Sequence, residues 1–111
     1  RLLMSWDISS YDSWKYDEIP LGCVAPEPGT SRLVQTGGWR TDRPVWDASA
    51  CKNCLICWVY CPDASIEVKD GQMTGIDYEH CKGCGVCARE CKFGAISMVN
   101  EQDAKQSEVQ A

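Results

Sequence analysis

The sequence predicts an α+β fold built from two copies of one small unit in a pseudo-two-fold arrangement, preceded by a mostly irregular N-terminal arm. Three observations predict it. Residues 51–70 and 81–100 repeat each other, matching at Cys51/Cys81, Lys52/Lys82, Cys54/Cys84, Cys57/Cys87, Cys61/Cys91 and Ile66/Ile96. Each copy ends in an alternating stretch, residues 65–69 and 95–99, whose period of two suits a half-buried strand. Composition changes near residue 50, because Trp6, Trp14, Trp39 and Trp46 and four of the five prolines lie upstream, with no sustained apolar period.

The first element is the arm, residues 1–50. Between residues 20 and 38 it carries Pro20, Pro26, Pro28, Gly29, Gly37 and Gly38, too many turn formers for a helix or a central strand. Disordered segments are poor in aromatics, whereas this one adds Tyr11 and Tyr16 to its four tryptophans. Trp, Tyr and Arg are the residue types enriched at interface hot spots, so the arm is expected to lie over partner subunits. Wrapping the chain's own core is the alternative. Cys23, far from the other cysteines, is expected to be a buried free thiol rather than a ligand.

The second element is residues 51–100. One or two helical turns are expected at residues 57–61 and again at 87–91. Asp70-Gly71 between alternating runs signals a hairpin, which pairs residues 73–77 back on the first strand. Ile66, Val68, Ile76, Ile96 and Met98 are almost the whole apolar inventory, and a 111-residue chain buries too little surface to rely on such a core alone. Disulfides, a metal or a partner must help to hold it. The last element, residues 101–111, is a polar tail expected to be frayed or to lie on a neighbour.

The cysteines decide what fills the centre. Eight of the nine fall in two dense runs, whereas a disulfide framework scatters its cysteines across loops. Cys51-x2-Cys54-x2-Cys57-x3-Cys61-Pro62 reproduces the run of bacterial 4Fe-4S ferredoxins, and Cys81-x2-Cys84-x2-Cys87-x3-Cys91 does so with Lys92 in place of the proline. Three thiolates so spaced wrap one face of a cube. The fourth, carried off on the helical turn, does not easily return to the same cube, and in two-cluster ferredoxins it ligates the other one. The expected ligands are Cys51, Cys54, Cys57 and Cys91 for cluster I, and Cys81, Cys84, Cys87 and Cys61 for cluster II. A structural zinc module is the remote alternative, since paired C-x2-C motifs also hold zinc. Its tetrahedral site has no use for the third cysteine of each run.

Gly83 and Gly85 suit a loop crowded against a cube, while Asn53, Leu55 and Ile56 in the first run are expected to shield cluster I more from water. Nothing in the chain points to bond chemistry, and no catalytic residue is expected. The lone histidine, His80, reads as a surface or supporting group beside Cys81; Tyr60 and Tyr78 read as apolar cover near the clusters.

The formal charge of −5 argues against nucleic acid, which needs clustered Lys and Arg, and ligation makes the balance more negative as thiols lose their protons. No apolar stretch of about 18 residues exists to span a membrane, and the start has no signal-peptide pattern. A cytoplasmic protein is expected. The chain opens on Arg1 rather than Met, which suggests that further residues precede it.

With the runs in place, residues 36–99 closely resemble the delta subunit of 2-oxoacid:ferredoxin oxidoreductases, the pyruvate synthase family. Thr36-Gly37-Gly38-Trp39-Arg40-Thr41-Asp42-Arg43-Pro44-Val45, directly before the first run, resembles that subunit's lead-in, whereas a free ferredoxin begins near its first cluster. The resemblance implies a hetero-oligomeric complex whose other subunits bind thiamine diphosphate with Mg and coenzyme A and cleave the 2-oxoacid. This subunit would carry electrons out through its two 4Fe-4S clusters to a ferredoxin or a further electron-transfer subunit. Within the lead-in, Trp39, Arg40, Arg43, Pro44 and Trp46 are the expected docking residues, Arg40 and Arg43 offering forked donors to partner carboxylates. A local Arg-Trp stack within the chain is the alternative. The competing function is a free, diffusible two-cluster ferredoxin.

Overall fold

The computed structural model describes residues 8–24 and 28–110, so Trp6 and Pro26 of the arm lie outside the described residues. The chain divides into two compact units, residues 1–34 and 35–111. In the first, three short 3-10 turns, Ile8–Ser13, Leu21–Cys23 and Thr30–Leu33, follow one another. Their bonds are local, such as Trp14 Nε1 donating to Ser10 Oγ at 3.1 Å and the Lys15 amide donating to Glu18 at 2.7 Å. No described side chain of this unit is buried, and Tyr16 and Leu21 stand in solvent. Cys23 is exposed too, against the expected buried thiol, because turns without a packed face have nothing to bury it in.

The second unit contains every strand and α-helix among the described residues. In chain order these are β1 (Asp42–Trp46), α1 (Ile56–Tyr60), β2 (Ile66–Lys69), β3 (Gln72–Ile76), α2 (Val86–Glu90), β4 (Ile96–Asn100) and α3 (Glu101–Gln110). Strands β2 and β3 form the expected hairpin, with Ile66 opposite Ile76 and Lys69 opposite Gln72. Asp70 and Gly71 both take positive φ, 52° and 75°, as a two-residue turn matched to strand twist requires.

The boundary at residue 50 needs correction. Strand β1, placed by sequence in an irregular arm, pairs antiparallel with β4, Asp42 opposite Asn100 and Trp46 opposite Ile96. The single pattern Asp-Arg-Pro-Val-Trp is too short to show a period, and β4 supplies the ladder that makes it a strand. The tail differs as well. Residues 101–110 form α3, whose Glu101 and Ala104 are buried.

The loops of the repeat match in backbone as well as in sequence. Asn53 and Gly83, Leu55 and Gly85, and Ala64 and Gly94 all have positive φ. Gly83 carries an additional constraint, since a Cβ there would run into the Asp42 carbonyl oxygen. Gly85 has a similar φ of 78° but open space beside it. Gly83→Ala is therefore expected to cost about 2 kcal/mol or more, and Gly85→Ala clearly less; thermal bleaching of the loaded protein measures both, and equal losses would contradict the close approach.

The core is small. Ile66, Met73, Cys87 and Ile96 are its buried members, and Trp46, Leu55, Val68 and Ile76 pack on it together with Cys51, Cys57, Cys61 and Cys91. Cysteines form so large a share that the interior is organised around sulfur.

Candidate metal centres

Two cavities collect the eight cysteines of the runs. One is lined by Cys61, Cys81, Cys84 and Cys87, with Pro44, Ile66 and Ile76 among its walls. The other is lined by Cys51, Cys54, Cys57 and Cys91, with Trp46, Leu55 and Ile96 among its walls. Each thus draws three cysteines from one run and the fourth from the other. The local fold explains the exchange. Cys57 and Cys87 lie in the short helices α1 and α2, and Cys61 and Cys91 follow directly after the last helical residues, where the two helices pack together.

The two cavities are of similar size, which suits the same group twice. Zinc fits poorly. Among the described residues, the one set of three Cys, His, Asp or Glu ligand atoms within 4.8 Å of one another is Asp77, Glu79 and His80, so no three cysteine sulfurs come that close. Around a single zinc with Zn–S bonds of about 2.3 Å, tetrahedral sulfurs lie about 3.8 Å apart. The wider spacing of the sulfurs suits a larger inorganic core between them. Asp77, Glu79 and His80 meet through local turn bonds, the Glu79 amide donating to Asp77 at 3.0 Å and His80 Nδ1 lying 2.7 Å from the same carboxylate.

The surroundings favour thiolate on metal. The Ser65 amide donates to Cys61 Sγ at 3.2 Å, its repeat partner Ala95 to Cys91 Sγ at 3.3 Å, and Asn53 to Cys51 Sγ at 3.5 Å. Burial alone would keep the protons on, pushing Cys87 up to about 11 and raising Cys57 and Cys81. A cationic iron core held by these thiolates would offset that cost, and its binding would expel the protons. The order of shielding is the reverse of that expected from the loop sequences: Cys81 and Cys87 are buried, whereas Cys51 and Cys57 are half-buried. The lead-in covers the second loop, with Asp42 against Gly83 and the Arg40 guanidinium on the Cys81 carbonyl at 3.0 Å.

The lead-in residues expected to dock are divided by the structure. Trp39 is 72 % exposed, with Lys82 Nζ 5.9 Å from its ring centroid. Pro44 is fully buried. Trp46 packs on the core. Arg40 and Arg43, expected to reach partner carboxylates, are instead spent on Glu101 of this chain. Arg40 donates through Nε and Nη2 at 2.6 and 3.1 Å, and Arg43 does the same at 3.0 and 3.0 Å. Arg43 also donates to Glu108 at 2.6 Å. The Tyr78 ring lies under both guanidiniums, 5.2 Å from Arg40 and 4.5 Å from Arg43, and its hydroxyl donates to the Pro44 carbonyl at 2.7 Å. Tyr78 is therefore part of this ion-pair nest rather than cluster cover, and Tyr60 is exposed. Glu101 is the residue that sequence reasoning missed; its partners stand some sixty positions away in a different composition zone, and no local pattern announces it.

Comparison with known proteins adds three relatives and one family model. The model described as a 4Fe-4S binding domain matches residues 74–97. The chain is similar to pyruvate synthase subunit PorD of Thermotoga maritima, 47% identical over 85% of this chain and 93% of the relative. It is 38% identical to pyruvate synthase subunit PorD of Methanocaldococcus jannaschii over 76% of this chain and 98% of that one. It is 43% identical to ketoisovalerate oxidoreductase subunit VorD of Pyrococcus furiosus over 79% of each chain.

Proposed function

This chain belongs to the PorD/VorD family, the delta subunits of 2-oxoacid:ferredoxin oxidoreductases, and from that premise we propose how its residues serve the complex. It is the electron-transfer subunit and carries 4Fe-4S clusters, whereas thiamine diphosphate belongs to the partner subunits. When bound, the clusters supply one-electron chemistry at low potential. The chain's own work is to hold them, shield them and present them to a donor on one side and an acceptor on the other.

The observation that carries this reading is the pair of cavities with exchanged fourth cysteines. It supports Cys51, Cys54, Cys57 and Cys91 as ligands of one cluster and Cys81, Cys84, Cys87 and Cys61 as ligands of the other. The same exchange supports a pseudo-two-fold relation between the halves. Each half offers one helix and one antiparallel strand pair, β2 with β3 and β4 with β1, so the lead-in strand supplies to the second half what the hairpin supplies to the first. Residues 35–50 therefore work as part of the cluster domain, and residues 1–34 remain the proposed docking arm. Eight thiols kept as metal ligands suit a reducing cytoplasm; no helix among the described residues is long and apolar enough to cross a membrane.

Docking on the cluster domain falls to exposed apolar and aromatic side chains. Trp39 stands out from the lead-in, and Trp58, Val59 and Tyr60 stand out from α1. Affinity purification of the complex tests the reading. The chain is expected to arrive with a thiamine-binding subunit, brown, with about eight iron and eight sulfide per chain. Replacing Trp39 and Trp58 together by alanine should weaken that association at least about tenfold, as loss of hot-spot tryptophans does, while iron content holds. A chain that purifies alone and monomeric, yet reduces its partner's electron acceptor normally, would make it a diffusible ferredoxin instead.

A further inference from the structure

Strand β1 ends on Trp46, and its indole Nε1 is the one buried side-chain nitrogen or oxygen among the described residues without a hydrogen-bond partner. A buried N–H left unpaired is costly, and native structures seldom carry one without an explanation. Trp46 itself lines the cavity that collects Cys51, Cys54, Cys57 and Cys91. Besides the cysteines, its other walls are the apolar Leu55, Ile56, Met73 and Ile96 and the Asn53 side chain, whose carbonyl oxygen accepts from the Met73 amide at 3.0 Å. A sulfur-rich occupant of this cavity would give that donor an acceptor.

The repeat supplies an internal control. Trp46 pairs with Ile96 across β1 and β4, just as Ile76 pairs with Ile66 across β3 and β2. Ile76 lines the second cavity where Trp46 lines the first. The two sites thus have matching cysteines and matching strand positions, but one strand position carries an N–H donor and the other a side chain that cannot donate.

We propose that Trp46 is a positioning residue for electron transfer, its indole N–H donating a hydrogen bond to a sulfur of the cluster held by Cys51, Cys54, Cys57 and Cys91 and thereby raising that cluster's reduction potential. The inference rests on the cluster assignment above. The sign follows from charge: reduction adds an electron to a sulfur-rich anion, and an N–H dipole aimed at sulfur stabilises the reduced form more than the oxidised one. Trp46 therefore adds to the unequal burial of the two sites a difference in potential that favours the electron in the half beside α1.

Trp46→Phe keeps the ring and removes the donor. In the full chain, loaded anaerobically with both clusters, it is expected to lower the midpoint potential of the cluster at Cys51, Cys54, Cys57 and Cys91 and to leave the other unchanged. Hyperfine-shifted cysteine β-protons, assigned cluster by cluster, report each midpoint through a potentiometric titration. A second measurement needs no altered fold. With nitrogen-15 in the indoles, the reduced unmutated protein should show a hyperfine coupling from one indole nitrogen to a cluster, which disappears in Trp46→Phe. Unchanged potentials in the variant, equal shifts of both clusters, or no nitrogen coupling in the unmutated protein would each overturn the proposal. Protein that binds no iron would sink the cluster assignment itself, a failure visible before any titration begins.

Discussion

Cys61→Ser is expected to strip the iron from the cavity that also holds Cys81, Cys84 and Cys87, and to spare the cluster beside Cys51, although Cys61 belongs to the Cys51 run. Iron should fall from about eight to about four per chain. Cys61 follows the last residue of α1, and there it lines the cavity of the opposite run, its sulfur steadied by the Ser65 amide at 3.2 Å. A serine hydroxyl would have to lose a far more tightly held proton to bind, and it offers iron a harder, poorer ligand. Cys91→Ser is the mirror experiment, expected to empty the Cys51, Cys54 and Cys57 cavity instead. Spectra in which each variant loses the cluster of its own run would show uncrossed ligation.

Glu101→Ala should be the most damaging change away from sulfur. It leaves two guanidiniums with side chains only 5% and 6% exposed, Arg40 with no carboxylate and Arg43 with only the exposed Glu108, and breaking such a buried pair costs about 3–5 kcal/mol. Glu108→Ala removes a carboxylate that is 63% exposed and should cost less than about 1 kcal/mol. Anaerobic guanidinium titration, followed by loss of cluster absorbance, compares the two. Similar losses would mean that the nest contributes little.

The same pair makes stability depend on pH. The guanidiniums of Arg43 and Arg40 hold the Glu101 carboxyl well below the usual carboxylate range, and the carboxylates in turn raise Arg43. A depressed carboxylate contributes stability that is fully present above its unfolded pKa, about 4.3, and lost as pH falls through the folded value. The difference between unmutated protein and Glu101→Gln should therefore stay level from neutral pH to about pH 5 and shrink below about pH 4.

The carbonyl contacts show what this nest does for the fold. Arg40 donates to the carbonyl oxygens of Tyr78 and Cys81, Thr36 Oγ donates to the His80 carbonyl at 3.1 Å, and the Gly37 amide donates to the Glu79 carbonyl at 2.7 Å. Together they press the lead-in onto the segment that enters the second cysteine run. Glu101 locks that arrangement from the far end of the chain, since the Glu101 amide also donates to the Thr41 carbonyl at 2.8 Å. Of the expected docking residues, Arg40, Arg43 and Pro44 are thus structural, and Trp39 is the one that stands free for contact.

By itself the sequence determined the chemistry. Eight cysteines at fixed short spacings, two helical turns, and an Asp-Gly hairpin are local patterns, since thiolate reach and turn geometry depend on neighbours a few residues away. The tertiary structure alone decided that residues 42–46 are a strand of the second half, that the polar tail is a helix, and that Arg40 and Arg43 face inward. Those outcomes depend on partners far apart in the chain. A helix anchored by one buried carboxylate and Ala104, rather than by an apolar stripe, leaves no period to read. An arginine in a lead-in looks the same whether its carboxylate lies in another chain or sixty residues further along its own, and only the folding of β1 onto β4 brings Glu101 within hydrogen-bond distance.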